Sequence, residues 1–351
     1  MRKGFFARLS RNRLAGASAI ILAILYLVMI FSGFFEPENP ATQSRYSYLP
    51  PTPIHFFFQG HLVAPYVEGL KQTRNPITFA LEYTPDPKEH YRIHFFVHSW
   101  RYRILGLFPS TLHLFGSRGP LYLFGTDELG RDLFSRTLAG SIVSLTIGLV
   151  VVAFTFPVGV LIGGLSGYLG GWVDFLIQRI LEILLSIPTL PLLLALSMLV
   201  PANTPPLVSF LEIAGILAAL GWTGLARIVR GQVLGMRELD YVVASQAAGS
   251  SRLRILFRHI APNLASYLIV SATLSIPGYI LAESALSFLG LGIRPPMTSW
   301  GLLLSAALGS NSLLLHPWIL IPGGFIALTV LCFNFLGDGL RDVVDPYRRS
   351  G

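Results

Sequence analysis

The sequence predicts an all-α polytopic membrane protein with six transmembrane helices and an extracytoplasmic insertion after the first helix. Hydrophobic residues make up 52% of the 351-residue chain and charged residues only 13%, about half of the charged fraction of a soluble domain. Several apolar runs also reach the length of about 20 residues that crosses a bilayer. A soluble globule would lack polar residues to cover its surface.

The first predicted span covers residues 14–35 and contains no charged residue before Glu36. At 1.5 Å per residue, it is about 33 Å long, which suffices to cross. Five basic residues lie within residues 1–13. A signal peptide is the alternative, but the run exceeds a typical apolar core and no small-residue cleavage site follows. We expect an uncleaved helix and a cytoplasmic tail at residues 1–13.

Residues 36–136 differ in character from the rest of the chain. Prolines are frequent, charged and aromatic residues are mixed, and no run is long enough to span a membrane. We expect an extracytoplasmic segment containing strands, because alternation of polar and apolar residues is present in patches.

Five further apolar runs predict the transmembrane core, which we place at residues 137–340. They cover about 141–165, 173–200, 207–226, 263–286 and 317–336. Six spans put both termini on one side, and the arginine-rich connection 227–262 and the tail 341–351 fall on that side as well. The excess of basic residues predicts that this side is cytoplasmic.

Two local patterns interrupt the regular helices of the core. Pro188 falls inside the third span, where proline removes a backbone donor and kinks the helix. The kink is either purely structural or lines a water-filled path. Gly159, Gly163 and Gly167 recur every four residues, a spacing that allows close approach of two helices.

The connection 227–262 predicts two short cytoplasmic helices. Asp240 is a candidate cap for the first helix, and Ser250 or Ser251 for the second. Gly249 permits a sharp turn between them. The first helix would present alanines on one face, and the second an apolar stripe at Leu253, Leu256, Phe257 and Ile260. The hairpin either lies on the membrane surface or docks against a protein partner, and its small alanine face favours the partner.

This connection resembles the cytoplasmic loop of ATP-binding-cassette importer permeases. The family's motif is Glu-Ala-Ala, three residues, Gly, nine residues, Ile, one residue, Leu-Pro. Gly249 and Pro262 stand at the required separation, and Ala244 matches the first alanine. The chain departs from the motif at Val243, Ser245 and Ala261, whereas His259 in place of Ile is common in the peptide-type branch. The run from Arg258 to Asn263 is similar to the version in the peptide-type branch.

Two further motifs support the same branch. The run from Gly125 to Arg136 resembles the Gly-Thr-Asp-x-x-Gly-Arg-Asp-x-x-Ser-Arg signature of dipeptide and oligopeptide permeases. The run from Leu286 to Gly301 is similar to that family's connection before its last span. The resemblance covers residues 121–348 and the first span.

The resemblance implies a type I importer permease fold in a bacterial or archaeal plasma (inner) membrane. It implies a second, homologous permease subunit, two ATP-binding subunits and an extracytoplasmic solute-binding protein as partners. No phosphate-binding Gly-x-x-x-x-Gly-Lys-[Ser/Thr] occurs in the chain, so ATP and Mg would be used by the partner subunits. The residues expected to couple to the ATPase are Tyr241, Ala244, Ala247, Ala248, Gly249, Ser250, Arg252, Arg258 and Pro262.

Ionisable and helix-breaking residues in or near the spans are candidates for the translocation path or its mouth, since charge at membrane depth is costly. These candidates are Glu283, Pro188, Asp127, Arg131 and Asp132. For Glu283, a hydrogen bond between packed helices is the alternative. Asp174, Arg179 and Glu182 are expected to form an ion-pair set.

Other functions remain open at this point. A permease of this branch could import an oligosaccharide, nickel or an opine instead of a peptide. A membrane-embedded enzyme would draw on His55, His61, His90, His94 and His98, although they lack metal-ligand spacing. A secondary transporter is disfavoured, because no inverted pair of broken helices is evident. We expect no metal site, and Cys332 is the only cysteine.

Overall fold

The computed structural model describes residues 12–344 except 59, 75, 77–80, 105, 202 and 309–311. The predicted terminal tails therefore lie mostly outside the described residues. Helices are α1 (Arg13–Ile30), α2 (Ser32–Phe35), α3 (Leu133–Leu169), α4 (Gly171–Ser186), α5 (Thr189–Ser197), α6 (Pro206–Met236), α7 (Asp240–Ala247), α8 (Arg252–Ile255), α9 (Ala261–Phe288), α10 (Trp300–Ser305), α11 (Ser312–Leu315) and α12 (Ile321–Val344). A π-helical turn, Leu256–Ile260, joins α8 to α9, and 3₁₀ turns lie at Ala306–Leu308 and Pro317–Leu320.

Within the described residues, five helical segments are long and apolar enough to cross a membrane. They are Arg13–Ile30, Leu133–Leu169, Pro206–Met236, Arg252–Phe288 and Pro317–Val343. The pair α4 and α5, bent by 83°, makes a sixth span if it crosses as one unit. The break follows Ser186 and carries Pro188, so the predicted kink is present. The predicted six-span fold is confirmed.

The closest helix packing joins α3 to α6 through the predicted glycines. A Cβ added at Gly163 would lie 2.3 Å from the Ala226 carbonyl oxygen, and one at Gly167 would lie 2.7 Å from the Arg230 carbonyl oxygen. At Gly159, an added Cβ would lie 2.9 Å from the Leu225 side chain. Only glycine allows this separation, as the spacing predicts.

The insertion forms a four-stranded antiparallel meander in the order β1-β2-β3-β4. The strands are β1 (His55–Phe58), β2 (His61–Arg74), β3 (Leu81–Ile104) and β4 (Phe108–Ser117). Tyr66 pairs with Arg92, and Phe95 pairs with Phe115. The insertion is thus a sheet beside the helical core.

Helix α6 continues ten residues past the end of its predicted apolar run, from Ala226 to Met236. Within this extension, the Arg230 guanidinium donates two hydrogen bonds to Asp174, at 2.5 and 2.6 Å. Val229 and Val233 on the same stretch are fully buried. The helix therefore extends into the connection that we predicted at 227–262.

The predicted ion-pair set of α4 is wrong in one member. Arg179 and Glu182 pair at 2.7 Å, but Asp174 pairs with Arg230 on α6 instead. Arg179 and Glu182 are neighbours on one helix face, whereas Asp174 faces the end of α3, where Ser166 donates to its carboxylate at 2.5 Å. The α4 pair is local, and the Asp174 pair joins two helices.

Candidate functional site

The two predicted short helices of the connection are both present. Helix α7 begins at Asp240, and Leu239 occupies the cap position without a side-chain hydrogen bond. The predicted cap role of Asp240 is therefore wrong, and Asp240 lies in the first turn, where a carboxylate suits the helix dipole. Ser251 caps α8 by accepting from the Arg254 N–H at 3.4 Å.

Helix α7 is anchored through its apolar underside. Val242 is fully buried and belongs to a cluster with Val233, Ile255, Leu256 and Ile260. Burial of such a side chain contributes about 1.5–3 kcal/mol. The short helix is therefore fixed to the ends of α6 and α9 even though its opposite face is exposed.

The predicted apolar stripe of the second helix is half wrong. Leu256 and Ile260 are buried, but Leu253 and Phe257 are 56% and 52% exposed. Ile255 takes the inward position instead. The π-helical turn at Leu256–Ile260 shifts the helical phase, and sequence periodicity assumes an unbroken α-helix.

The outer face of α7 is made of small exposed side chains. Ala244, Ala247 and Ala248 are all exposed, beside Tyr241, which is 40% exposed. Gly249 follows with a φ of +75°, and no atom lies within 4 Å of the position of an added Cβ. The turn thus requires the left-handed conformation that glycine adopts without strain.

Polar contacts hold α7 against its neighbours. Ser245 lies 3.2 Å from the Nε2 of His259 in the π-helical turn. Gln246 donates to the Tyr168 hydroxyl of α3 at 3.0 Å, and Asn263 of α9 donates to the Tyr241 hydroxyl at 3.1 Å. Through these bonds the helix contacts α3 and the continuous segment Arg252–Phe288, and it is positioned by both.

The remaining predicted coupling residues surround this helix. Ser250 is half-buried, and its N–H donates to the Ser245 carbonyl oxygen at 3.1 Å. Arg252 and Arg258 are exposed, and Pro262 lies in the first turn of α9.

Four apolar side chains beside the alanine face are exposed, and of these sequence reasoning singled out only Leu253 and Phe257. Leu239, Val243, Leu253 and Phe257 are between 45% and 56% exposed. Together with the alanines they form what we call the α7 surface, defined by residues 239–258. An exposed apolar surface of this kind indicates contact with a protein partner or with the membrane.

A cavity of about 260 Å³ adjoins the break between α4 and α5. Ile187 and Thr189 line it on either side of the exposed Pro188, and Leu217 and Tyr279 line it from α6 and α9. Its other polar side chain is Thr223, and no charged residue lines it. The cavity is therefore apolar with a few hydroxyl groups, a lining that can contact uncharged parts of many different ligands.

Tyr279 is a site residue that sequence reasoning missed. A Cβ on Gly221 would lie 2.5 Å from the Tyr279 hydroxyl oxygen, so the glycine makes room for the tyrosine. The signal available in the sequence was a tyrosine within one predicted span and a glycine within another. Only the packing of the helices shows that the two meet.

Glu283 does not line this cavity. The side chain is fully buried, and the Ser287 hydroxyl donates to it at 2.6 Å. Its neighbour Ala282 lines the cavity instead. Hydrogen bonding inside the helical core, which is the alternative interpretation for this residue, describes its environment.

The outer motif forms a compact turn around Asp127. Its carboxylate accepts from the Arg131 Nε at 2.8 Å and from Arg136. It also accepts from the backbone N–H groups of Leu129 and Arg131 at 2.9 and 3.0 Å. Asp127 is only 3% exposed, so these donors compensate a buried charge.

Asp132 caps α3 in the same motif. Its carboxylate accepts from the Ser135 N–H at 2.9 Å and the Ser135 hydroxyl at 2.5 Å. Burial raises the pKa of Asp132 to about 7, against the opposing effect of these hydrogen bonds.

A polar cavity of about 330 Å³ lies between this motif and α10, lined by Arg131, Glu128 and Leu302 among others. Of the predicted mouth residues, Asp127 and Arg131 line this cavity and Asp132 does not. Asp132 is buried as a cap.

The histidines proposed for an enzyme do not converge. Among the described residues, no group of three or more His, Cys, Asp or Glu is arranged to hold a metal ion. His98 bonds to Thr111 at 3.0 Å, and His90 packs against Tyr66 and Phe58. Cys332 is buried.

Comparison with known proteins gives two family matches. A model described as binding-protein-dependent transport system inner membrane component matches residues 159–350, and one described as the N-terminal transmembrane domain of oligopeptide transport permease C matches residues 1–51. The sheet of β1–β4 lies between the two matched ranges.

Individual relatives share more than 40% of their residues with this chain over the aligned parts. The oligopeptide transport system permease protein OppC of Haemophilus influenzae is 45% identical over 229 residues, which are 65% of this chain and 71% of the relative. OppC of Bacillus subtilis is 41% identical over 69% of this chain and 78% of the relative. The dipeptide transport system permease protein DppC of Bacillus subtilis is 43% identical over 64% and 69%.

Proposed function

Because the chain belongs to the family of binding-protein-dependent transport system inner membrane components, we propose that it is the permease subunit of a peptide importer driven by a separate ATPase. The chain supplies half of the translocation path. Its α7 surface receives the movement of an ATP-binding subunit and passes it to the spans.

The α7 surface is the observation that carries this proposal. Its alanines and Gly249 allow close approach of a partner, while Val242 and the contacts of Ser245, Gln246 and Tyr241 fix the helix to the core. Coupling of this kind needs a rigid element that takes two discrete positions rather than a catalytic group. The exposed face and the anchored underside of α7 meet that requirement.

The partners follow from the same proposal. A second, homologous permease completes the path, two ATP-binding subunits hydrolyse ATP with Mg, and an extracytoplasmic binding protein delivers the solute. The chain itself is non-catalytic and binds no cofactor. Both termini and the α7 surface are cytoplasmic, and the sheet faces the opposite side, in a bacterial or archaeal inner membrane.

A peptide is the favoured solute. Two relatives are named oligopeptide permeases and a third a dipeptide permease. The cavity beside Pro188 has hydroxyl groups and apolar side chains but no charged residue, which suits solutes with varied side chains. Nickel is disfavoured because it would require ligands that this lining does not offer. Oligosaccharides and opines are disfavoured because these relatives are named for peptides.

The Gly249→Val variant tests the coupling role. Valine at a φ of +75° is strained by about 1–2 kcal/mol, so the turn after α7 should be displaced. We expect peptide uptake by the assembled complex in proteoliposomes to fall by about tenfold or more, while ATP hydrolysis continues without control by solute. Membrane insertion should be unchanged.

Gly235→Val is the matched control. Gly235 is an exposed glycine of α6 that also has open space around its Cβ position but lacks a positive φ. This variant should transport normally. Normal uptake and normal assembly of the Gly249→Val complex would refute the coupling role of this turn.

A further inference from the structure

The second half of the sheet differs in charge from the rest of the chain. We define the outer hairpin as residues 90–117, which comprise the second part of β3 and all of β4. From His90 to Thr126 the sequence contains no acidic residue. The same stretch contains Arg92, Arg101, Arg103 and Arg118 and four histidines. The hairpin itself therefore carries three arginines and no carboxylate, and Glu38 of the preceding segment lies near its His113.

The hairpin packs at the outer end of the first span. The Tyr102 ring fills the space above Gly33, where an added Cβ would lie 2.3 Å from a ring carbon. Phe96 lies against Phe34 with their ring centroids 6.5 Å apart. Phe115 lies 6.2 Å from Phe134, in the first turn of α3. These contacts place the hairpin at the level where two spans leave the membrane.

Large apolar side chains of the hairpin remain exposed at this level. Phe95 and Phe96 are 59% and 64% exposed, and Leu107 and Phe108 near the tip are 72% and 66% exposed. Phe96 has a φ of +55°, a conformation that is rare for a bulky residue and costly without compensation. The backbone at Phe96 is therefore strained while its ring lies exposed beside α2.

The outer half of α1 and the residue after it also carry exposed apolar side chains. Ile24, Leu27 and Phe31 are 55%, 54% and 40% exposed along the last turns of the helix. Exposed Phe and Leu side chains beside arginines are typical of segments that lie in the membrane interface. Arginine side chains reach from the same position to lipid headgroups.

We propose that the outer hairpin is an interfacial anchor that binds the headgroup region of anionic phospholipids beside the first span. Leu107 and Phe108 enter the interface, and Arg101 and Arg103 contact lipid phosphate. The absence of acidic residues favours an anionic lipid surface, since each arginine near it adds attraction. The sheet is thereby held at a fixed height and angle over the outer end of the spans.

The test uses the full-length chain, carrying Cys332→Ser and Leu107→Cys, reconstituted with its complex in lipid nanodiscs. A fluorophore at position 107 reports quenching by nitroxide-labelled phosphatidylcholine or nitroxide-labelled phosphatidylglycerol. We expect quenching by both lipids, at least about twofold stronger with phosphatidylglycerol. The additional changes Arg101→Gln and Arg103→Gln should remove the preference for the anionic lipid.

Thr73→Cys provides the matched control. Thr73 is exposed on β2 and pairs with Glu82, near the end of β3 opposite to Ile104. A fluorophore there should not be quenched by lipid. Absence of lipid quenching at position 107 would overturn the proposal. Shielding of position 107 only after addition of the solute-binding protein would also overturn it, in favour of a protein dock.

Discussion

Asp127 shows at the scale of one residue how the outer motif works. Two arginines and two backbone N–H groups of the same motif converge on its carboxylate. The Arg136 side chain is 7% exposed and the Asp127 side chain 5%, so neither charge has access to much water. The motif is therefore built around the compensated charge of Asp127. Removing this charge should lower the free energy of unfolding.

We predict that Asp127→Asn destabilises the protein by about 3–5 kcal/mol, because it leaves the buried Arg136 without its counter-charge. The midpoint of thermal unfolding in detergent measures this change. Asp86→Asn is the control, since Asp86 pairs with Lys71, whose side chain is 62% exposed. The control should leave the midpoint unchanged. Equal effects of the two variants would contradict the buried role of Asp127.

A pH dependence is predicted from Glu36, which follows α2. Burial raises the pKa of Glu36 to about 8, and the negative charge of Asp132 adds to the rise. The folded protein then binds more protons than the unfolded chain between about pH 4.5 and 8. Stability should therefore be highest below this window and fall as the pH rises through it.

Glu36→Gln should flatten this dependence, because the amide cannot ionise. The expected difference between pH 5 and pH 8.5 is on the order of a few °C in the unfolding midpoint of the unmodified protein, and less in the variant. Glu128→Gln, at an exposed position, should keep the full dependence. A midpoint that rises with pH across this window would contradict the assignment.

At the scale of elements, each long apolar run coincides with a long helix or with the bent helix pair. The runs do not predict where the helices end, as α6 shows. The predicted apolar run stops at Arg227, the first arginine of α6, but the helix continues, and its next arginine, Arg230, pairs with Asp174 from another span. Such a pairing depends on how α4, α6 and α3 meet, which no local pattern contains. The π-helical turn was likewise not visible in the sequence, and the predicted burial of Leu253 and Phe257 is therefore wrong.

The glycine contact between α3 and α6 makes a direct prediction. Gly163→Val would place a side chain against the Ala226 carbonyl oxygen, so the helices must separate at a cost of about 1–3 kcal/mol. We expect a lower thermal midpoint and less assembled complex on size-exclusion chromatography. Gly224→Val, at a glycine of α6 with open space around it, is the control. No difference between the two variants would refute the packing role.

At the scale of the whole molecule, one continuous helical segment links the α7 surface to the cavity. It runs from Arg252 to Phe288 and contacts α7 at its start, while Tyr279 lies near its other end. Leu256 and Tyr279 are separated by about 35 Å at 1.5 Å per residue. A movement imposed on α7 is thus expected to reach the lining of the cavity through a packed helix.

The sequence predicted this arrangement only in part. The loop motif around Gly249 and the broken span at Pro188 were visible as patterns, because both depend on residues close together in the chain. The meeting of Gly221 with Tyr279 and the register of the sheet depend on contacts between distant segments. Single-sequence reasoning has no measure of such contacts.

The most direct test of the account is labelling of Ala247→Cys, in a Cys332→Ser background, with a membrane-impermeant maleimide. Ala247 lies at the exposed centre of the α7 surface. We predict labelling in inside-out vesicles stripped of the ATP-binding subunits, and protection when those subunits are added back. Labelling in right-side-out vesicles, or labelling that the ATP-binding subunits leave unchanged, would contradict the central claim.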